Sequence, residues 1–420
     1  GSREWPINAA THDSRHLNTN AIYIQACWRY YAWTGDAGFL AGQLARLRAA
    51  MNYQLSVLGG FQGVIDGAYN ASDPDHGGMS GEDMGSNYWD IIPFGGKDAY
   101  SSIDYYGSVK AMAEIEKALG NGSEADYYTG LQATCRAGYD AEFWSPSAGR
   151  YIGARDRTGV PHDYGFSFVN LQALAEGLGD AAKAASVFEW LSTGDIYTRW
   201  RFAPRACSID NNDWWAYDNV NRYAWDAQIQ DGGADLYVSG YDVVARARYL
   251  GADDAYARLR GVLQRYSEPD KLTGGSPTIF NETIQGGTDG SGAIGVMAHE
   301  FPESGVAGAA FLYAFIGVSL DADGIHFDPA VPTGMSYIGA RSINYRGMLL
   351  DLHVTPDQIT VRCTKDTSGT HAPWSYYVGT REYAFPGGTF NATHDLDDPP
   401  TPTPTAEPTV PPTWTPTMTP

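Results

Sequence analysis

The stretch "HLNTNAIYIQACWRYYAWTGDAGFL" (residues 16–40) decides the fold. An apolar, aromatic run reaches Trp33, breaks at Thr34-Gly35-Asp36, and resumes at Ala37. Glycine stops a helix by adopting a left-handed conformation, and aspartate starts one by accepting from the first free N–H groups. The spacing therefore predicts a helix, a tight turn and a second helix, "AGFLAGQLARLRAAMNYQLSVLGG" (37–60). The same pairing recurs in "DAYSSIDYYGSVKAMAEIEKALG" (98–120) with "SEADYYTGLQATCRAGYDAEFW" (123–144). Ile103, Tyr106, Met112, Ile115 and Leu119 fall at helical spacing there, predicting one buried face. A third pair covers 164–193, and a fourth joins "GGADLYVSGYDVVARARYLG" (232–251) to "DDAYARLRGVLQRYS" (253–267). "SGVAGAAFLYAFIGV" (304–318), rich in small residues, predicts one further, wholly buried helix.

About nine helices result. Long connections at 59–96, 194–230 and 268–302 follow alternate helices, so in a ring they would gather at one end and form the natural site. After residue 320 the period becomes two. "DGIHFDPAVP" (323–332), "YIGARSINYRGMLLDLHVTPDQITVRCT" (337–364) and "WSYYVGTREYAFPGG" (374–388) predict strands, with turns at "YRG" and "TPD". The last stretch, "DDPPTPTPTAEPTVPPTWTPTMTP" (397–420), is a Pro/Thr repeat expected to be extended and disordered. Such tails space the modules of exported proteins. We therefore expect a secreted, multi-module polypeptide divided into 1–319 (helical), 320–392 (β) and 393–420 (linker).

Composition narrows the partners. With 28 Lys+Arg against 49 Asp+Glu, the formal charge of −21 disfavours nucleic acid and anionic lipid, and a neutral ligand fits best. The 12 Trp and 28 Tyr suit both a large core and stacking on sugar rings. Cys27, Cys135, Cys207 and Cys363 lie far apart with no CxxC pair, so neither a zinc cluster nor a disulfide framework is expected. Cys27 and Cys135 fall inside helical patterns and read as core residues. No apolar run is long enough for a membrane span. "GSREWPIN" (1–8) reads as the start of a fragment and contains no signal peptide. His12 and His16 lack a third ligand, "DADG" (321–324) reads as a β-turn, and "FGGKD" (94–98) lacks phosphate-loop spacing. No metal or cofactor is expected.

The chemistry is concentrated in loops. "GSNYWDIIPFGGKD" (85–98) sets Asp90 between Trp89 and Ile91, an apolar setting that raises a carboxyl pKa and suits a proton donor. Glu82 and Asp83 in "SGEDMG" are its rivals. A partner base is offered by Glu282 in "IFNETIQGG" and by Glu300 and Glu303 in "AHEFPESG", Glu303 standing at a helix start that favours a carboxylate. In the loop 198–233, Trp214, Trp215 and Trp225 offer stacking faces, and Asp213, Asp218 and Arg222 offer hydrogen bonds to hydroxyls.

Three of these stretches resemble the (α/α)6-barrel glycoside hydrolases, the group holding α-L-rhamnosidases, trehalases, glycogen-debranching glucosidases and inverting disaccharide phosphorylases. "HLNTNAIYIQACWRYYAWTGDAGFL" resembles the first barrel helices of that group. "SNYWD" (86–90) resembles the trehalase "SGWD" and rhamnosidase "GDW" loops. "EFPESGVAGAAFLYAFIGVSLDADGIHFDPAVP" (300–332) resembles the last barrel helix and its exit into a β domain. The resemblance spans roughly 17–390 and implies a toroid of helix hairpins followed by a small antiparallel β-sandwich. Twelve helices complete that toroid, and the group's N-terminal β domain and rhamnosidase acid-rich stretch have no clear counterpart here. For function, the resemblance implies inverting hydrolysis of a terminal sugar from an oligo- or polysaccharide, with Asp90 as acid. It favours Glu282 as base through its interval to His299. Tyr88, Trp89, His299 and Glu300 are further candidate substrate contacts. A disaccharide phosphorylase of the same fold and a non-catalytic carbohydrate-binding module are the alternatives.

Overall fold

In the turn that separates the first two helices, Gly35 (φ 72°) donates its N–H to the Tyr31 carbonyl and ends α1 (Thr19–Thr34). One residue on, the Asp36 carboxylate accepts from the Phe39 N–H at 2.8 Å and starts α2 (Ala37–Ser56). The computed structural model describes residues 16–67, 87, 94, 96–156, 158–163, 165–193, 195–198, 205–208, 236–267, 305–368 and 374–396. Seven more helices follow among these: α3 (Ala99–Ala118), α4 (Gly122–Phe143), α5 (Ser167–Glu176), α6 (Ala181–Thr193), α7 (Leu236–Tyr249), α8 (Ala252–Ser267) and α9 (Gly305–Phe311). Each odd-numbered helix up to α7 turns tightly into its even-numbered partner, whereas long connections lead from even to odd. The odd helices pack in succession, α1 on α3, α3 on α5, α5 on α7 and α7 on α9. This ordering joins the starts of the odd helices to the long connections.

Two expectations change. Helix α3 buries far more than one face: Ser101, Ser102, Asp104, Ser108 and Glu116 are buried along with its apolar residues. The cause is its position, since α1, α2, α4 and α5 all pack against it. The last helix is not one wholly buried α-helix. It passes at Leu312 into a π-helical turn, Leu312–Ile316, that ends at Gly317 (φ 67°). Ala314, Phe315 and Ile316 are buried, while Gly305, Gly308 and Tyr313 remain exposed. The exposed glycines precede the wider turn, and the buried run Ala314–Ile316 lies inside it.

Short strands punctuate the helical region. β1 (Lys97–Asp98) pairs with β4 (Ala154–Arg155), β2 (Trp144–Ser145) with β3 (Arg150–Tyr151), β4 with β5 (Pro161–His162), and β6 (Asp195–Thr198) with β7 (Arg205–Ser208). The C-terminal region holds β8 (Val318–Leu320), β9 (Gly324–Phe327), β10 (Ile338–Tyr345), β11 (Met348–Val354), β12 (Gln358–Asp366), β13 (Ser375–Val378), β14 (Arg381–Ala384) and β15 (Phe390–Asp395). One sheet has the order β10-β11-β12-β15 and the other β14-β13-β9-β8. In β11, Met348, Leu350, Leu352 and Val354 point inward and alternate with more exposed residues, the pattern of a sheet with one covered face. The expected turns occur: Arg346 (φ 49°) and Gly347 (φ 81°) close the β10–β11 hairpin, as a type I′ turn requires. One pair departs from the expected antiparallel arrangement. β9 and β13 run parallel, with Gly324 opposite Ser375 and Phe327 opposite Val378. The chain returns to β9 only after the β10–β12 meander, and a crossover of that length permits parallel pairing where a hairpin does not.

Among the described residues two apolar cores result. One joins α1 to α7 through residues such as Ile24, Met51, Ile103, Phe166 and Leu171. The other joins Val243, Leu259 and Phe315 to both sheets through Ile325, Tyr345 and Val361. At the seam, Arg346 is 3% exposed; its N–H donates to the Trp33 carbonyl at 2.7 Å and its Nε to the Ala32 carbonyl at 3.2 Å. Cys27, Cys135 and Cys363 are buried free thiols. No helix among the described residues is long and apolar enough to cross a membrane.

Candidate functional site

Asp98 sits where a long connection enters α3. Its carboxylate accepts from the Ser101 N–H and hydroxyl, both at 2.9 Å, and its own carbonyl accepts from the Ser102 hydroxyl at 2.6 Å. Such a cap satisfies helix N–H groups that have no partner within the helix. The Asn87 amide adds a further bond to Asp98 Oδ2 at 2.8 Å, with both residues at 0% exposure. Asn87 belongs to "SNYWD". Seven positions later Phe94 is also fully buried, its ring 5.1 Å from Phe166 and 6.0 Å from Phe168. Gly153 makes room for these rings, since a Cβ there would lie 2.2 Å from the Phe166 ring. The segment holding Asp90 is thus bracketed in sequence by two buried anchors.

Deeper along α3, Asp104 accepts from the Asn18 amide at 3.0 Å and the Gln172 amide at 3.2 Å, so α1, α3 and α5 meet at one carboxyl. The Gln25 amide reaches the Asp104 carbonyl at 2.9 Å over Gly107, where a Cβ would clash with that amide. Burial pushes the Asp104 carboxyl up to about 7, against the opposing Asn18 hydrogen bond. A group so poised can hold or release a proton near neutrality. Nothing in the sequence reading marked Asp104. A partial signal was present in "SSIDYYGS", where only small or aromatic residues, Tyr100, Ser101, Gly107 and Ser108, stand at the helical offsets from the aspartate and no charged residue marks a solvent face.

Toward the other end of α3, a cavity of about 370 Å³ is bounded by Gln25, Trp28, Arg29, Lys110, Glu114 and Glu176. Lys110 pairs with Glu176. Burial alone would raise Glu176, but Lys110, with Arg29 and Arg248, outweighs it and holds this carboxyl below its usual range. Glu114 is raised by burial despite a hydrogen bond from the Ala322 N–H at 2.8 Å.

Every residue expected from sequence to act on substrate lies outside the described residues: Tyr88, Trp89 and Asp90; Trp214, Trp215, Asp218, Arg222 and Trp225; Glu282, His299, Glu300 and Glu303. Glu82, Asp83, Asp213 and His12 do so as well. What is described is Asn87 and Phe94, the buried residues that flank Tyr88, Trp89 and Asp90 in sequence. Among the described residues no group of three His, Cys, Asp or Glu side chains could hold a metal ion.

Residues 318–370, the segment from β8 to just beyond β12, match the model of the glycosyl hydrolase family 65 C-terminal domain. No curated protein matches the chain. Among solved structures, a GH78 family rhamnosidase of Bacillus sp. GL1 superposes with a TM-score of 0.51 at 14% identity, over 80% of this chain and 30% of that one. The chain is similar to the (α/α)6-barrel glycoside hydrolase and phosphorylase group. A GH63 mannosylglycerate hydrolase from Thermus thermophilus gives 0.45 at 14% identity, over 72% of this chain and 76% of that one. A putative kojibiose phosphorylase from human microbiome gives 0.43 at 9% identity, over 90% and 50%. The chain spans only about a third of the rhamnosidases it matches. At such identities the likeness is one of fold.

Proposed function

We propose that this chain is the catalytic part of an inverting glycoside hydrolase, built on an (α/α)6 toroid, that releases a terminal sugar from an oligo- or polysaccharide. Asp90 donates a proton to the leaving oxygen, and Glu282 activates water on the opposite face, with Glu303 the alternative base. Inversion needs the two carboxyls about 6.5–9.5 Å apart, to leave room for that water. The observation that supports this reading is the Asn87–Asp98 bond at the start of α3. Asp90 follows Asn87 by three residues, a length of chain that reaches at most about 11 Å. The formal charge of −21 agrees with a neutral substrate.

The test is the first-formed product of wild-type hydrolysis, followed by NMR before mutarotation. Inverted configuration is expected, together with loss of turnover in Asp90→Asn on poor leaving groups and a milder loss on activated aryl glycosides. Glu282→Gln should lose activity that azide partly restores. Retained configuration would exclude the two-carboxylate assignment, and an absolute need for inorganic phosphate would make the chain a phosphorylase.

A further inference from the structure

The outward face of the β10-β11-β12-β15 sheet carries a groove of about 790 Å³. Its rows follow from the pairing register. Gly339 stands opposite His353, and Asp351 opposite Arg362, which in turn faces Asn391. Gly339 keeps the floor low: a Cβ there would come within 2.6 Å of the Leu352 carbonyl oxygen. At one end Tyr337 is 60% exposed, and its ring lies 4.9 Å from that of His353. A large aromatic face left open to water in this way is a stacking platform, its ring backed by His353 on one side.

The polar side of the groove is held under strain. The register shifts between Ala340 and Ile343, and Ser342 adopts φ 57° within that bulge. The Asp351 carboxylate secures the bulge, accepting from the Ser342 N–H at 2.9 Å through Oδ1. Bulges re-aim side chains, and strained backbone concentrates where something is to be bound. Here the bulge brings Arg341 into the groove lining beside Asp351, with Arg362 on the other side of the same carboxylate. Among the described residues neither guanidinium has a hydrogen bond or ion pair, although Arg362 is the register neighbour of Asp351.

We propose that this face binds a neutral saccharide chain, at a site separate from the reaction. Two guanidinium groups offer donors, Asp351 keeps Oδ2 as an acceptor, and Asn391 offers both. Such a mixture matches hydroxyls, which donate and accept at once. An anionic ligand would meet the Asp351 carboxylate and the field of a chain with formal charge −21. Tyr337 supplies the apolar surface on which a sugar ring stacks. This assignment does not depend on the catalytic roles proposed above.

Affinity electrophoresis of the whole chain tests it, in gels containing barley β-glucan, xyloglucan, galactomannan, arabinoxylan or soluble starch, with polygalacturonate as the anionic comparison. Retardation by at least one neutral polysaccharide is expected. Tyr337→Ala and Arg362→Ala should each weaken it about tenfold, while the melting temperature and turnover of a small aryl glycoside stay as in the wild type. The proposal is overturned by retardation in none of the neutral gels, by retardation in polygalacturonate alone, or by retardation that both substitutions leave intact. A variant that loses turnover would overturn the separation of this face from the reaction, whereas absence of turnover in the wild type, with binding retained, would count against the catalytic reading only.

Discussion

The Asn87 amide and the Asp98 carboxylate form a 2.8 Å hydrogen bond that ties the "SNYWD" stretch to the cap of α3. Removing the amide in Asn87→Ala leaves Asp98 its two bonds from Ser101, so the helix start should survive. Positioning of the proposed acid should not. We expect kcat to fall roughly tenfold or more, since small misplacements of reacting groups carry large rate penalties. The melting temperature should drop by only a few degrees. Unchanged kcat would show that the anchor has no bearing on turnover.

Asp104 makes stability depend on pH. Its carboxyl is raised from 3.8 to about 7 by burial, so between those values the folded state binds a proton that the unfolded state has released. Stability is therefore greatest below the unfolded value and falls as pH rises through the interval, by up to about 1.4 kcal/mol per pH unit. Urea midpoints from pH 4 to pH 8 should show this decline in the wild type. Asp104→Asn should flatten it, with Gln172 turning its amide to accept from the new donor. An equal slope in both proteins would refute the assignment.

Arg346 and Gly35 should be sensitive positions. Arg346→Ala removes the bond to the Ala32 carbonyl and the cation above the Tyr31 and Trp374 rings, 5.5 and 5.1 Å from their centres. A loss of about 2–3 kcal/mol is expected, in the range of charge-assisted bonds. Gly35→Ala should lose about 1 kcal/mol, because φ is 72° there and the new Cβ lies 3.1 Å from the Trp374 ring. Denaturant titration of the two variants measures both.

The thiols should be silent until the chain unfolds. Cys135 is fully buried, and burial pushes its thiol up to about 12. Cys27 and Cys363 are raised by the same cause. Ellman's reagent at pH 8 should find none of these three in the native protein, and reductant should leave its melting temperature unchanged. Rapid labelling of Cys135 without denaturant would contradict the packing described.

Much of the scaffold was legible because its signals are local. Gly35 and Asp36 act on neighbours within four residues, and Arg346-Gly347 encodes its own hairpin. What escaped reading depends on distant partners. Asp104 receives Asn18 across 86 positions and Gln172 across 68, and no periodicity links such residues. The parallel pairing of β9 with β13 follows from a crossover, and the π-helical turn at Leu312 leaves an apolar pattern indistinguishable from an α-helix. Of the expected site, Asn87 and Phe94 emerge as anchors beside residues noticed only for their chemistry.

The seam at Arg346 bears on how the gene can be divided. A helix ends with carbonyls that need donors, and α1 obtains two of them, at Ala32 and Trp33, from a residue encoded more than three hundred codons later. A transcript cut at codon 319 would specify helices with those carbonyls open and with Phe315 and Ile316 stripped of their sheet neighbours. During synthesis α1 is made well before the residue that supplies these two donors. Moving the helical part between polypeptides therefore has to carry the sheets with it.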